Sequence, residues 1–161
     1  MDNITIRTIE QRDNKALAKI IREGLAEFGA NRPGTVYFDP TTDALYELFQ
    51  TEGSFYYVAE QDGELLGGVG IFPTEGLPGE TAELVKMYLA PAARGKGLGR
   101  RLIEHSIETA RGKGYRNLYL ESMPELRQAL KVYEKFGFEY LQGPMGNSGH
   151  TGCSLWMLLK I

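Results

Sequence analysis

The sequence predicts a single α/β domain, with six to seven strands in a sheet flanked by about four helices. Three observations carry that prediction. The chain has 161 residues, close to one unit of about 150. Apolar residues recur with a period of two in some segments and of 3.6 in others, and the two periods interleave. Glycine supplies 20 residues without a three-residue repeat. The surplus therefore belongs to turns and close backbone approaches inside a folded domain, not to a fibre.

The elements follow in order. Residues 4–9 alternate apolar and polar, a strand. Asp13 stands where a helix N-cap belongs, and Leu17, Ile20, Ile21, Leu25 and Phe28 mark one face of the helix it opens. Residues 29–40 hold Asn31, Pro33, Gly34 and Pro40 and read as a loop. Thr41 or Thr42 is placed to cap a short helix bearing Leu45, Leu48 and Phe49. Residues 55–59 and 65–72 read as strands joined at Asp62-Gly63, a hairpin turn dipeptide. A third strand covers 82–89 and stops at Pro91. Helical spacing resumes from Leu98 to Ala110 and ends at Gly112 and Gly114. Residues 117–121 are a strand. Pro124 precedes a helix whose face carries Leu126, Ala129, Leu130, Tyr133 and Phe136, with Gly137 at its end. Residues 138–141 and 154–159 complete the sheet around a glycine-rich loop, 143–152. The order is β-α-α-β-β-β-α-β-α-β-β, with no repeat and no dividing linker.

Composition excludes several functions. A net charge of −3 argues against a general nucleic-acid binder. No apolar run approaches the roughly 18 residues of a membrane span. No secretory leader is visible, so the expectation is a cytoplasmic protein acting on neither nucleic acid nor membrane. Cys153 is the single cysteine, which leaves no internal disulfide framework and no cysteine-rich metal site. His105 and Glu108 share a helix face, but two ligands make no metal site, and none is expected.

The chemistry concentrates in residues 83–102, a strand, a glycine-rich turn and a helix. Gly95, Gly97 and Gly99 let the backbone pass close to a ligand. The free N–H groups and positive dipole end of the following helix form an anion site there. Arg94, Lys96 and Arg100 add charge. Between residues 94 and 116 stand seven cations against Glu104 and Glu108. Neither a G-x-x-x-x-G-K-[ST] loop nor a G-x-G-x-x-G fingerprint is present, so both common nucleotide folds fit poorly.

Arg94-Gly-Lys-Gly-Leu-Gly99 resembles the R/Q-x-x-G-x-G/A loop of the GCN5-related N-acetyltransferases (GNAT). Residues 129–138, with Ala129, Tyr133, Gly137 and Phe138, resemble that family's A-x-x-x-Y-x-x-x-G-F hallmark. The element order resembles the family fold along nearly the whole chain, which implies a mixed sheet. The resemblance implies acetyl-CoA as co-substrate, without a metal. Its pyrophosphate would be held by Arg94, Gly95, Lys96, Gly97, Leu98, Gly99 and Arg100. Its pantetheine arm would lie against the backbone of Met87, Tyr88 and Leu89, where the strand splays from the one ending at Glu121-Ser122. A bulge near Lys86 would accompany that splay. Many members carry Asn at the position of Leu126, so this pantetheine contact is in doubt, and Ser122 is a candidate substitute.

The implied reaction is direct attack by a primary amine of a small molecule or amino acid. Acetylation of a protein N-terminus or lysine, and a non-catalytic acyl-CoA-binding module, are the alternatives. A base must first take a proton from the ammonium. The resemblance implies Glu83, since family members often use a carboxylate on this strand; strict alternation places it beside Val85 and Met87, an apolar setting that would raise its pKa. Glu121 is the second choice. Tyr133 would protonate the departing thiolate, although its spacing alone reads as a core tyrosine. The N–H of Leu89 would meet the oxyanion. Asn147, Ser148 and His150, on the glycine-rich loop, are candidates for the acceptor side. Dimers are common in the family, so a homodimer is a further expectation.

Overall fold

In the computed structural model, which describes residues 3–161, seven strands form one sheet in the order β1-β2-β3-β4-β5-β7-β6. They are β1 (Ile4–Thr8), β2 (Phe55–Gln61), β3 (Glu64–Phe72), β4 (Thr81–Leu89), β5 (Asn117–Ser122), β6 (Glu139–Leu141) and β7 (Leu155–Lys160). Only β4 and β5 run parallel, so the sheet is mixed. Helices α1 (Asn14–Glu27) and α2 (Leu45–Leu48) cover one face. Helices α3 (Leu98–Gly112) and α4 (Arg127–Phe136) cover the other. The core is therefore split, with Leu17, Ile21, Leu25 and Phe49 on one side of the sheet and Leu98, Leu102, Ile103 and Leu130 on the other.

Local chemistry differs from expectation at three helix ends. Asp13 stands at the N-cap of α1, but its side chain does not cap that helix. Its carboxylate accepts 2.8 and 2.9 Å bonds from the Arg7 guanidinium and, as part of the capping box of the preceding 3-10 turn, one from the Glu10 N–H. A charge-assisted bidentate pair is the stronger partner. The cap expected of Thr41 or Thr42 is made instead by Asp39, which accepts from the Thr41 N–H and opens a 3-10 turn over Pro40–Asp43. Thr42 donates to the Val36 carbonyl, and α2 is a single turn. Gly112 lies within α3; the left-handed residue after that helix is Gly114. Gly137 does end α4, with φ of 96°.

The glycine run of β3 acts as a groove. Tyr56 lies across β3 and donates a 2.8 Å bond from its hydroxyl to the Lys86 carbonyl on β4. A Cβ on Gly68 would stand 2.4 Å from the Tyr56 ring, and one on Gly70 2.6 Å from Tyr56 and 2.7 Å from Phe49. Only glycine leaves room for the ring. The Lys86 carbonyl held by that bond belongs to a bulge: Lys86 has φ of 54°, and the β3–β4 register shifts between Gly68 and Gly70. The bulge turns Met87 and Leu89 toward α3, whereas Glu83, Val85 and Tyr88 stay on the α1 side. Glu83 and Met87 therefore do not share a face, contrary to strict alternation, because the extra residue changes the parity of the strand.

Gly68→Ala or Gly70→Ala is expected to cost about 1–3 kcal/mol by overpacking. Tyr56→Phe is expected to cost about as much, by orphaning a buried carbonyl. Gly112→Ala, helical and with open space at its Cβ, should instead add about 0.5–1 kcal/mol. Urea unfolding of the four variants checks the contrast, and equal effects at positions 70 and 112 would refute it.

Candidate active site

The parallel pair β4–β5 holds for three positions only: Thr81 with Asn117, Ala82 with Leu118 and Glu83 with Tyr119. Beyond Glu83 the strands part. A cleft of about 920 Å³ fills the gap and passes through the sheet. Glu83, Lys86 and His150 line it from the α1 side, and Met87, Tyr133 and Phe136 from the side of α3 and α4.

At one end lies the glycine turn. Gly95 and Gly97 adopt φ of 77° and 76°, conformations that disfavour any side chain. Gly97 is the N-cap of α3 and supplies no capping side chain. The first intrahelical bond runs from the Arg101 N–H to the Gly97 carbonyl, so the N–H groups of Leu98, Gly99 and Arg100 have no acceptor among the described residues. With the dipole of a 15-residue helix behind them, they make an anion site. The flanking cations are not equivalent. Arg94 turns inward, bonding the Leu89 carbonyl and Glu27 and lying over the Phe28 ring. Lys96 is exposed and outside the cleft, whereas Arg100 lines it. The charge at the cradle is thus carried by backbone and Arg100 more than by the Arg94 side chain.

At the other end is a polar cluster. Glu83 is 3% exposed and accepts a 2.6 Å bond from the Thr74 hydroxyl. Burial raises its pKa to about 7; the Thr74 bond and Lys86 oppose that rise and Glu121 adds to it. Glu83, Glu121 and His150 offer carboxylate and imidazole atoms within 4.8 Å of one another. Glu121 is fully engaged: one oxygen takes the Tyr119 hydroxyl at 2.6 Å and the other the Ser148 hydroxyl. The Tyr119 hydroxyl in turn accepts the Met145 N–H. This chain of bonds fixes the 143–152 loop to β5. Burial, with Lys86, lowers the pKa of His150, which leaves the ring neutral at pH 7; Nε2 stands 3.4 Å from Asp39.

The structure brings most of the sequence-predicted residues into this cleft and leaves some out. Met87, Tyr88 and Leu89 line it, as do Leu126 and Ser122. Tyr133 lines it as well, with a hydroxyl that bonds no described residue and a proton held more tightly by burial. Ser148 and His150 reach the polar end. Asn147 does not: it is exposed and docks through its N–H on the Glu75 carbonyl. Cys153, partly buried against the core on the α1 side, borders the cleft, its thiol pushed up to about 12 by burial. Lys86, Asp39, Thr74 and Tyr119 were not singled out from the sequence. Only Lys86 left a signal, as a cation inside an otherwise apolar stretch of strand.

The comparisons agree with this geometry. Residues 20–138 match the model of the acetyltransferase (GNAT) family. The chain is 39% identical to the uncharacterized N-acetyltransferase YjgM of Escherichia coli K12, covering 97% of this chain and 94% of that one. A GNAT-family acetyltransferase of Staphylococcus aureus Mu50 superposes with a TM-score of 0.86 at 17% identity over 98% of each chain. YncA of Salmonella typhimurium, solved with its cofactor acetyl-CoA, superposes at 0.74 with 25% identity, over 99% of this chain and 94% of that one. By family match and by near full-length similarity, this chain belongs to the GNAT family of acetyl-CoA-dependent N-acetyltransferases.

Proposed function

We propose that the protein transfers the acetyl group of acetyl-CoA directly to the primary amine of a small molecule or amino acid, both substrates being bound together. One observation carries the reading. The gap opening after Glu83 joins an uncapped helix N-terminus, a buried carboxylate poised near neutrality and an unengaged tyrosine hydroxyl in one cleft. The loop 94–100 receives the pyrophosphate on the N–H groups of α3, with Arg100 alongside. The backbone of Met87, Tyr88 and Leu89, left without a β5 partner, receives the pantetheine arm.

Glu83 accepts a proton from the acceptor ammonium. An alkylammonium has a pKa near 10.4, so it is protonated and inert at neutral pH until a base acts. The freed nitrogen forms a bond to the thioester carbonyl carbon, and the oxyanion is met by the Leu89 N–H. Collapse breaks the carbon–sulfur bond. The thiolate takes the Tyr133 proton, and the second nitrogen proton leaves through Glu83, which has by then passed the first to solvent. One of these two protons returns through solvent to Tyr133 and the other is released. The products are an amide, CoA thiol and one proton. Arg94, bonded to the Leu89 carbonyl, positions that residue and the turn that follows.

Kinetics and calorimetry test the assignment. For the wild type, kcat/KM should fall tenfold per pH unit below about 7, where Glu83 becomes protonated, and level off above it. Glu83→Gln should lower kcat by about 10²–10⁴ and abolish that limb; a limb that persists assigns the base elsewhere. Tyr133→Phe should lower kcat by about 10² or more, with CoA affinity little changed. An unaltered rate at every pH removes it as the acid. Gly97→Val meets no protein atom within 4 Å. Strain of about 1–2 kcal/mol and a blocked cradle should cut CoA affinity at least tenfold by calorimetry, and undiminished affinity would displace the proposed pyrophosphate site.

A further inference from the structure

Lys86 is the most constrained cation of the cleft. It occupies the left-handed bulge residue of β4, a conformation costly for a side chain that is not glycine. Its carbonyl is held by Tyr56, so the residue cannot relax to regular strand geometry without breaking a buried bond. Its side chain is 4% exposed, and its ammonium stands 3.9 Å from the Asp39 carboxylate, beyond hydrogen-bond reach. None of its three donors reaches an acceptor among the described residues, and the side chain lines the cleft.

Asp39 only partly neutralises it. One Asp39 oxygen takes the N–H and hydroxyl of Thr41, at 2.9 and 2.7 Å. The other is shared between Lys86 and His150. The remaining cations at this cleft are committed or lie elsewhere: Arg94 pairs with Glu27, while Arg100 and Lys135 belong to α3 and α4. The ammonium faces the cleft, where an arriving anion would complete its donors. It stands on the same side of the sheet as Glu83, three residues along one strand.

We infer that Lys86 binds the carboxylate of the acceptor, and that the acceptor is a free α-amino acid whose amine faces Glu83. This rests on the acetyltransferase reading above and narrows its substrate class. The arrangement suits a zwitterion: Glu83 and Glu121 attract the ammonium, Lys86 the carboxylate. In an α-amino acid the two groups share one carbon, which keeps them close enough to meet two long side chains that converge from positions about 10 Å apart on one strand. A simple alkylamine would leave the Lys86 donors unsatisfied.

The wild-type chain is assayed for CoA release from acetyl-CoA with a panel of α-amino acids, each paired with its own carboxamide. The amide keeps the amine and side chain and removes only the anion. At least one acid should exceed its amide by about ten- to a hundredfold in kcat/KM, the range of a hydrogen bond to a charged group. Lys86→Met should remove that preference, mainly through a higher KM for the acid, with the amide falling less than about threefold, and Lys86→Arg should restore part of it. Acid and amide used alike by the wild type, or lowered equally by Lys86→Met, overturn the inference and leave the acetyltransferase standing. CoA bound by calorimetry but released with no amine of the panel defeats the acceptor reading itself.

Discussion

The hydrogen bond from Tyr56 to the Lys86 carbonyl is the constraint on which the site depends. Without a fixed bulge, β4 would continue in regular register, and its residues beyond Glu83 would alternate strictly. With the bulge, the strand presents Glu83 and Lys86 to one side of the sheet and Met87 and Leu89 to the other. A cleft that passes through a sheet needs that change of parity: one substrate's reacting group arrives from each face. The bond is buried, spans 30 residues of sequence, and crosses an intervening strand. It exists only because Gly68 and Gly70 remove the side chains that would otherwise fill the path of the ring.

The cleft is electrostatically divided, and the division follows from backbone as much as from side chains. Its cofactor end is positive chiefly through unpaired N–H groups and a helix dipole, which are fixed in place and lose no rotamer freedom on binding. Arg94, the most obvious cation of the motif, tightens the frame by joining Leu89 to Glu27. The acceptor end is rich in carboxylates, yet each has a different status. Asp39 lies below the usual carboxylate range: burial raises its pKa, but the two Thr41 bonds, Lys86 and His150 together outweigh that rise. Glu121 is committed on both oxygens to the 143–152 loop. Glu83 alone is lifted into the neutral range. Environment separates three chemically similar groups into a helix cap, a loop anchor and a carboxylate poised near neutrality, the base of the proposed reaction.

Much of this was legible in the sequence, wherever the signal was local. Strand alternation, the Asp62-Gly63 turn, the Gly95–Gly99 turn and the Gly137 stop each depend on neighbours in the chain, and each lies where the pattern places it. The two motifs point to the glycine turn and to Tyr133, and both line the cleft. What escaped was set by distant contacts. The Asp13 carboxylate is drawn from its helix by Arg7, and Asp39 takes the cap expected of a threonine, because a better partner lies outside the reading window. The face of Met87 depends on one extra residue that alternation cannot count. The glycines of β3 carry no local signature at all: their reason is an aromatic ring from the next strand.

Lys86 shows how a functional cation can hide in a structural one. A lysine inside an apolar strand ordinarily turns its charge to water along its own stem. Here the left-handed backbone and the Tyr56 bond aim the side chain into the cleft, where it is 4% exposed and stands 3.9 Å from Asp39. An uncharged residue would fill the same space without desolvating a cation, so the charge itself is what the position supplies. A carboxylate arriving with the acceptor would replace the lost hydration, and the same event would bring the acceptor ammonium beside Glu83. Binding and proton removal are then joined in one geometry. In the proposed reaction, the bulge that parts the strands also sets the distance between Lys86, which would hold the acceptor, and Glu83, which would activate it.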